Sequence, residues 1–341
     1  MKALVLHRHG DADALRLDPA FPDPVPGDGD VLVSVRATAL NYHDIFTRRG
    51  MPGIRIAMPA IMGIDVAGEI AGIGPGVTGW RPGDRVLIDP INRVTGGLLG
   101  ETTHGGLAEL VRVPAHQLIA LPADVSYADA ACLPCAYGTA LRMIETIGKI
   151  QAGETVLILG AAGGVGVCAL ALCKLAGATV IACASTDDKM ARLTALGADH
   201  VINYAEQDFM RALHVLRGKP RIRGGGGVDV VVNFTGGDTW TKSLRCLRPG
   251  GRLLTCGATA GYDPAEDLRF IWTFELEIRG SNGWQRADII RLLDLVRTGA
   301  LRVPIEHIHS LDDAQAALST LESRRAFGKI LVAPDPSRIG R

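Results

Sequence analysis

Ala161-Ala162-Gly163-Gly164-Val165-Gly166 sits between an apolar run, TVLILG (155–160), and an apolar stretch of helical spacing from Val165 to Ala176. This is the Gly-x-Gly-x-x-Gly pattern with alanine at its first glycine. Gly163 lets the backbone approach a pyrophosphate, and Gly166 lets helix and strand pack closely. Gly164, Val165 and Gly166 open a helix whose N-terminal amides and dipole attract negative charge. The pattern points to a dinucleotide. The second strand, TVIACAS (179–185), ends at Ser185 without the carboxylate that would bind a ribose 2′-hydroxyl,. Lys189 follows one helical turn later, so a 2′-phosphate, and hence NADPH, is favoured. The competing reading gives the acid's task to Asp187 or Asp188 and leaves Lys189 as a surface lysine.

These residues need a scaffold, and the chain supplies two textures. Short β-branched runs between Gly and Pro turns fill the first 120 residues, at 30–40, 65–74, 83–88 and 105–113, as in a compact, partly open β-barrel,. After Ser126, a plausible N-cap, an Ala-rich helical stretch runs to Gly148. Strands and helices then alternate, with strands apolar throughout, which marks a parallel sheet covered on both faces. The segment 218–227 is a glycine-rich loop. The tail holds a helix from Ala287, a break at Pro304, a helix over 312–322 and a last strand, GKILVAP (328–334). It is expected to return to the first domain. The expected division is residues 1–122 with 287–341, and 123–286.

The 341 residues carry 36 basic and 36 acidic side chains, so nothing in the charge favours nucleic acid or an anionic membrane as partner,. No apolar run is long enough to span a bilayer. Seven cysteines in apolar contexts read as reduced thiols of a cytoplasmic protein,.

From end to end the chain resembles the medium-chain dehydrogenase/reductase superfamily, and within it the zinc-independent quinone oxidoreductase-like branch. The motifs that carry the resemblance include PGDGDVLVSVRATALNYHDIFTRRG, GIDVAGEIAGIGPGVTGWRPGDRV, GETVLILGAAGGVG, GVDVVVNFTGG and FGKILV. The resemblance implies an α/β architecture: a GroES-like β-barrel domain and a Rossmann doubly wound parallel-sheet domain, with a substrate cleft between them. It implies that Ser185, Lys189, Tyr204 and Arg324 surround the 2′-phosphate of NADPH. Thr139 would pack on the nicotinamide, and Asn233, Thr235, Cys256 and Gly257 would lie at strand ends lining the cofactor. The strand ELEIRG (275–280) matches a family edge used in dimers, so a homodimer is expected, with a tetramer as the alternative.

Zinc enzymes of the superfamily place a cysteine three residues before a conserved aspartate, and a histidine in a Gly-His-Glu turn. Here these positions are Asn41, with Asp44 as the aspartate, and Ile64. Only Cys135 survives of the three ligands, and the segment 87–106 has none of the four cysteines of the structural zinc lobe. A metal is therefore not expected. An improvised set of His43, Asp65 and Cys135, with His104 nearby, has no defensible spacing. Cys132 and Cys135 as a redox pair is less favoured than two buried thiols.

Without a Lewis acid, a simple carbonyl is a poor hydride acceptor, whereas a quinone or an α,β-unsaturated carbonyl delocalises the arriving charge. Candidate catalytic residues are Asn41 as donor to that oxygen, Tyr42 or His43 as donor or proton relay, Tyr137 across the cleft, and Asp44 beside them. The alternative is that Asn41 and Asp44 bond only the local backbone and that His43 meets a ribose. Enoyl reductases of this superfamily carry a proton-donating tyrosine just after this helix, and RRGMPGIRI (48–56) has none. Two other readings stay open: an alcohol dehydrogenase-type oxidoreductase, and a non-catalytic NADPH-binding protein.

Overall fold

Alternation builds the first half of the chain. Along the strand Asp30–Ala39, Val31, Val33, Val35, Ala37 and Ala39 are buried while their neighbours are partly exposed until the strand's end. This strand pairs antiparallel with Asp65–Ile73, Leu110–Pro114 and Lys329–Ala333. The resulting sheet places Ile305–Ser310 at one end and Leu118–Ala120 at the other. A smaller sheet joins Leu15–Asp18, Ala3–Leu6 and Ala60–Ile61. The computed structural model describes residues 1–51, 53 and 56–340. Among these, no helix is long and apolar enough to cross a membrane.

The chain forms two compact units, Met1–Ala136 with Ile289–Arg341, and Tyr137–Asp288. The first boundary falls later than 122 because the helix Tyr127–Ala131 packs on the strands Asp30–Ala39 and Asp65–Ile73. Ser126 caps that helix, accepting from the Asp129 amide at 3.0 Å. Tyr127 ties it down further. Its hydroxyl donates to Glu69 at 2.8 Å, and the Arg85 guanidinium lies 4.4 Å from its ring centre.

The second unit is a six-stranded, all-parallel sheet. Its order is His200–Asn203, Thr179–Ala184, Thr155–Ile158, Val228–Val232, Leu247–Thr255 and Glu277–Gly280. Numbered in sequence this is 3-2-1-4-5-6, the doubly wound order, and ligands bind such sheets where the order reverses, at the carboxyl end of the first strand. The core is aliphatic: Leu157, Ile181, Val231 and Leu253 are fully buried. The expected helix to Gly148 is present but broken into short α- and π-turns over Leu133–Tyr137, Gly138–Leu141 and Arg142–Gly148.

Candidate active site

At the carboxyl end of Thr155–Ile158 the chain turns through Gly160, at φ +65°, into the helix Gly164–Leu175. Gly166 has no room for a side chain: a Cβ there would stand 2.4 Å from the Gly160 carbonyl and 2.6 Å from Ala161 Cα. Gly163 is the opposite case, exposed, with a Cβ meeting only the Gly160 carbonyl at 3.6 Å. No side chain caps this helix. An open glycine at an uncapped N-terminus of twelve residues leaves amide donors for an anion, so these residues fit a dinucleotide pyrophosphate.

The neighbouring strand ends complete that surface. Ala184 pairs with Asn203, and the Tyr204 amide donates to the Ala184 carbonyl at 3.0 Å, which sets half-exposed Tyr204 beside half-buried Ser185. Thr186 caps the helix Asp187–Ala195 and accepts from the Lys189 amide; Lys189 is only 8% exposed. Asp187 and Asp188 are exposed in the first turn, where the dipole stabilises them, and Asp188 pairs with Arg192,. Neither takes the strand-end position of a ribose-binding acid. Thr139, half-buried, lies on the helix Gly138–Leu141, which packs against Gly164–Leu175.

Asn233 proves to be a shaping residue. Its amide nitrogen donates to Thr239 and Ser243 at 3.0 and 2.9 Å, and its oxygen accepts from the Thr235 and Gly236 amides at 2.8 and 3.0 Å. Fully buried and fully bonded, it holds the turn that carries Thr235. Cys256 and Gly257 follow the strand Leu247–Thr255, and burial pushes the Cys256 thiol up to about 12. Arg324 belongs to the other unit, exposed at φ +57° after the helix Ala314–Glu322.

In the first unit, Asn41, Asp44, Asp65 and Lys329 form a buried polar cluster. Asn41 caps the helix Tyr42–Arg49 in a capping box, its own amide donating to Asp44 Oδ2 at 2.8 Å,. Lys329 Nζ donates to Asn41 Oδ1 at 2.7 Å and to the Leu40 carbonyl at 2.8 Å, and stands 3.8 Å from Asp65. Asn41 Nδ2 donates to Asp65 Oδ2 at 2.8 Å and to the Ala39 carbonyl at 3.1 Å. The Cys135 amide donates to the other Asp65 oxygen at 2.9 Å. Burial raises both carboxyls, Asp65 to about 6 against the opposing Lys329 charge.

This geometry corrects three expectations. Asn41 does not donate to a substrate oxygen, because both its amide hydrogens are spent inside the protein. Asp44 is consumed by the cap. Tyr137 is fully buried and presents no accessible hydroxyl. Cys132 is likewise buried, its thiol pushed up and bonded to the Ala128 carbonyl, so it is not poised for redox chemistry,. Ile64, at the expected histidine position, is a buried aliphatic. Among the described residues, no three His, Cys, Asp or Glu side chains gather as a metal site.

His43 and Tyr42 remain within reach of solvent. The His43 ring, 30% exposed, makes a 2.8 Å contact through Nε2 with Glu101, 18% exposed. The Tyr42 ring packs edge-on against Phe46. Three residues of this site escape sequence reading by motif. Glu101 lies in a loop, Lys329 opens the last strand, and Asp65 appears there only as an improvised ligand. The unpaired look of a lysine and an aspartate inside apolar strands was the available signal. The region after this helix that lacks a tyrosine includes Pro52, Ile54 and Arg55, which lie outside the described residues.

Two family models match the chain: an alcohol dehydrogenase GroES-like domain over residues 27–123 and a zinc-binding dehydrogenase over residues 164–298. A 2-haloacrylate reductase from Burkholderia sp is 31% identical, the alignment covering 97% of this chain and 98% of that one. The chain belongs to the medium-chain dehydrogenase/reductase superfamily. Members with solved structures have the same fold. An NAD-dependent alcohol dehydrogenase is 32% identical, with a TM-score of 0.89 over 98% of this chain and all of that one. The 2-octenoyl-CoA carboxylase reductase CinF, in complex with NADP and 2-octenoyl-CoA, is 28% identical, with a TM-score of 0.84 over 98% of this chain and 90% of that one. This superfamily of oxidoreductases thus contains members named as reductases and members named as alcohol dehydrogenases.

Proposed function

We propose that this chain is an NADPH-dependent, zinc-independent reductase that delivers a hydride to a conjugated acceptor, an α,β-unsaturated carbonyl or a quinone. One observation carries the reading. The place where the superfamily's zinc ligands would stand is filled by a closed network of Asn41, Asp65 and Lys329 beside Ile64, which offers a metal no vacant donor set,. The 2-haloacrylate reductase and CinF support it, since a 2-haloacrylate and a 2-octenoyl thioester both hold a C=C bond conjugated to a carbonyl carbon.

The cofactor is NADPH. Gly163, Gly164, Val165 and Gly166 receive its pyrophosphate, and Ser185, Lys189 and Tyr204 its 2′-phosphate, with Arg324 as a further candidate. Thr139, Thr235, Cys256 and Gly257 face its nicotinamide half. When bound, it supplies the hydride. The chain's own part is to meet the charge that then gathers on the acceptor oxygen. His43 takes that role with Tyr42 as its neighbour, because Asn41, Asp44 and Tyr137 are occupied or inaccessible. Ser185 after the second strand, Lys189 on the helix that follows it and Tyr204 after the third strand favour the phosphorylated cofactor over NADH.

The similarity to an NAD-dependent alcohol dehydrogenase favours one competing reading, oxidation of alcohols. NADPH oxidation measured against quinones and enones, and separately against simple aldehydes and ketones, decides between them. Turnover of the conjugated set alone is expected. Turnover of simple carbonyls sinks the proposal, and cofactor binding with neither activity points to a binding protein. The proposal includes a cytoplasmic location, which seven cysteines outside any disulfide suit,. It also includes a homodimer formed through the edge strand Glu277–Gly280.

A further inference from the structure

We propose that Glu101 is a positioning residue for proton delivery, fixing the His43 ring through Nε2 and keeping it charged until Nδ1 gives up its proton. The inference rests on the role assigned to His43 above. It gives a task to the segment 89–104, which lies where related zinc enzymes carry a metal lobe.

The segment is a built support. Asp89 pairs with Arg93 at 2.8 Å, Leu98 donates its amide to Thr102 Oγ1 at 2.9 Å, and the Glu101 amide donates to the Leu98 carbonyl at 3.1 Å. Gly100, at φ +75°, lies so close to Gly63 that a Cβ would stand 3.0 Å from the Gly63 nitrogen. Beyond it, the Gly105 and Gly106 amides donate to the Ile61 and Gly63 carbonyls at 2.7 and 2.8 Å. Glu101 is thereby carried on backbone fastened to the turn that leads into Asp65.

His43 needs such a partner. It is the second residue of the helix Tyr42–Arg49, where the positive end of the dipole opposes an imidazolium,. The charged groups that act on it are Glu101 from the loop and Asp44 on its own helix, the latter itself held by the Lys329 charge. With Nε2 bonded to Glu101, and no protein partner on Nδ1 among the described residues, Nδ1 is the nitrogen left to exchange. The step balances. When bound, NADPH would supply two electrons with one hydrogen, so that a C–H bond would form at the β-carbon and the π pair would move to the carbonyl oxygen. The Nδ1–H bond of His43 then breaks as an O–H bond forms, imidazolium becomes neutral imidazole, and a solvent proton restores it. Glu101 makes and breaks no covalent bond.

The test compares the full-length protein with Glu101→Gln, which keeps an acceptor for Nε2–H but removes the charge. The His43 ring signal is assigned with His43→Asn and titrated by NMR, and kcat for an enone is followed against pH. The proposal expects the Glu101→Gln midpoint to lie below that of the wild type, because the paired carboxylate charge is gone. The alkaline limb of kcat should move down equally, giving slower turnover on that limb at unchanged KM for NADPH. An unmoved midpoint overturns the pairing, and a moved midpoint with an unmoved limb overturns its use in proton delivery. A wild type that reduces no conjugated acceptor overturns the proposed function, while the NMR titration still decides the pair.

Discussion

Asp65 carries the strongest residue-scale consequence. Its carboxyl, ordinarily at 3.8, is raised to about 6 by burial, with Lys329, Asn41 and the Cys135 amide pulling the other way. A raised acid binds its proton more tightly in the folded state. The stability it contributes is therefore fully present below about 3.8 and is lost as pH rises through about 6,. Urea unfolding of wild type and Asp65→Asn at about pH 4.5 and about pH 7.5 should show the wild type losing on the order of 2 kcal/mol relative to the variant. Parallel pH dependence of the two would contradict this. The strand, turn and helix around the glycine motif were legible because they are contiguous. Asn41 was not, because its amide hydrogens go to the Ala39 carbonyl and to Asp65, 24 residues away. Glu101 was hidden likewise, since nothing local links it to His43.

Elements were legible where one periodicity dominates. The strands Thr155–Ile158 and Thr179–Ala184 are apolar throughout and stand where the sequence places them. The strand Ile305–Ser310 was missed: its IEHIHS pattern is half-exposed at most positions and follows Pro304, so it reads as a connection. The π-turns between Leu133 and Gly148 leave no trace in composition either. The element that matters most to function is the turn into Gly164–Leu175, and Gly166 is its tightest point. Gly166→Ala should force strand and helix apart at a cost of about 1–3 kcal/mol. Weaker NADPH binding should accompany it, read by thermal unfolding and by cofactor titration. An alanine variant with wild-type stability and affinity would show that the close approach is not what the turn requires.

At the scale of the whole molecule, the sequence anticipates two units with the tail returning to the first. It could not place the first boundary, which depends on Tyr127 and Arg85 anchoring a helix to the barrel sheet. The second unit leaves Trp272, Leu268 and Ile278 exposed on and just before its edge strand Glu277–Gly280. Covering that edge with a second copy would bury them. Sedimentation velocity should therefore find a dimer that Trp272→Glu dissociates, and a monomeric wild type would remove the dimer from the account. The central claim is hydride transfer to conjugated acceptors with no metal in the site. Its most direct test is NADPH oxidation with an enone, measured before and after exhaustive chelation and again after adding zinc. The account predicts one unchanged rate in all three conditions. A rate lost to the chelator and restored by zinc would contradict it.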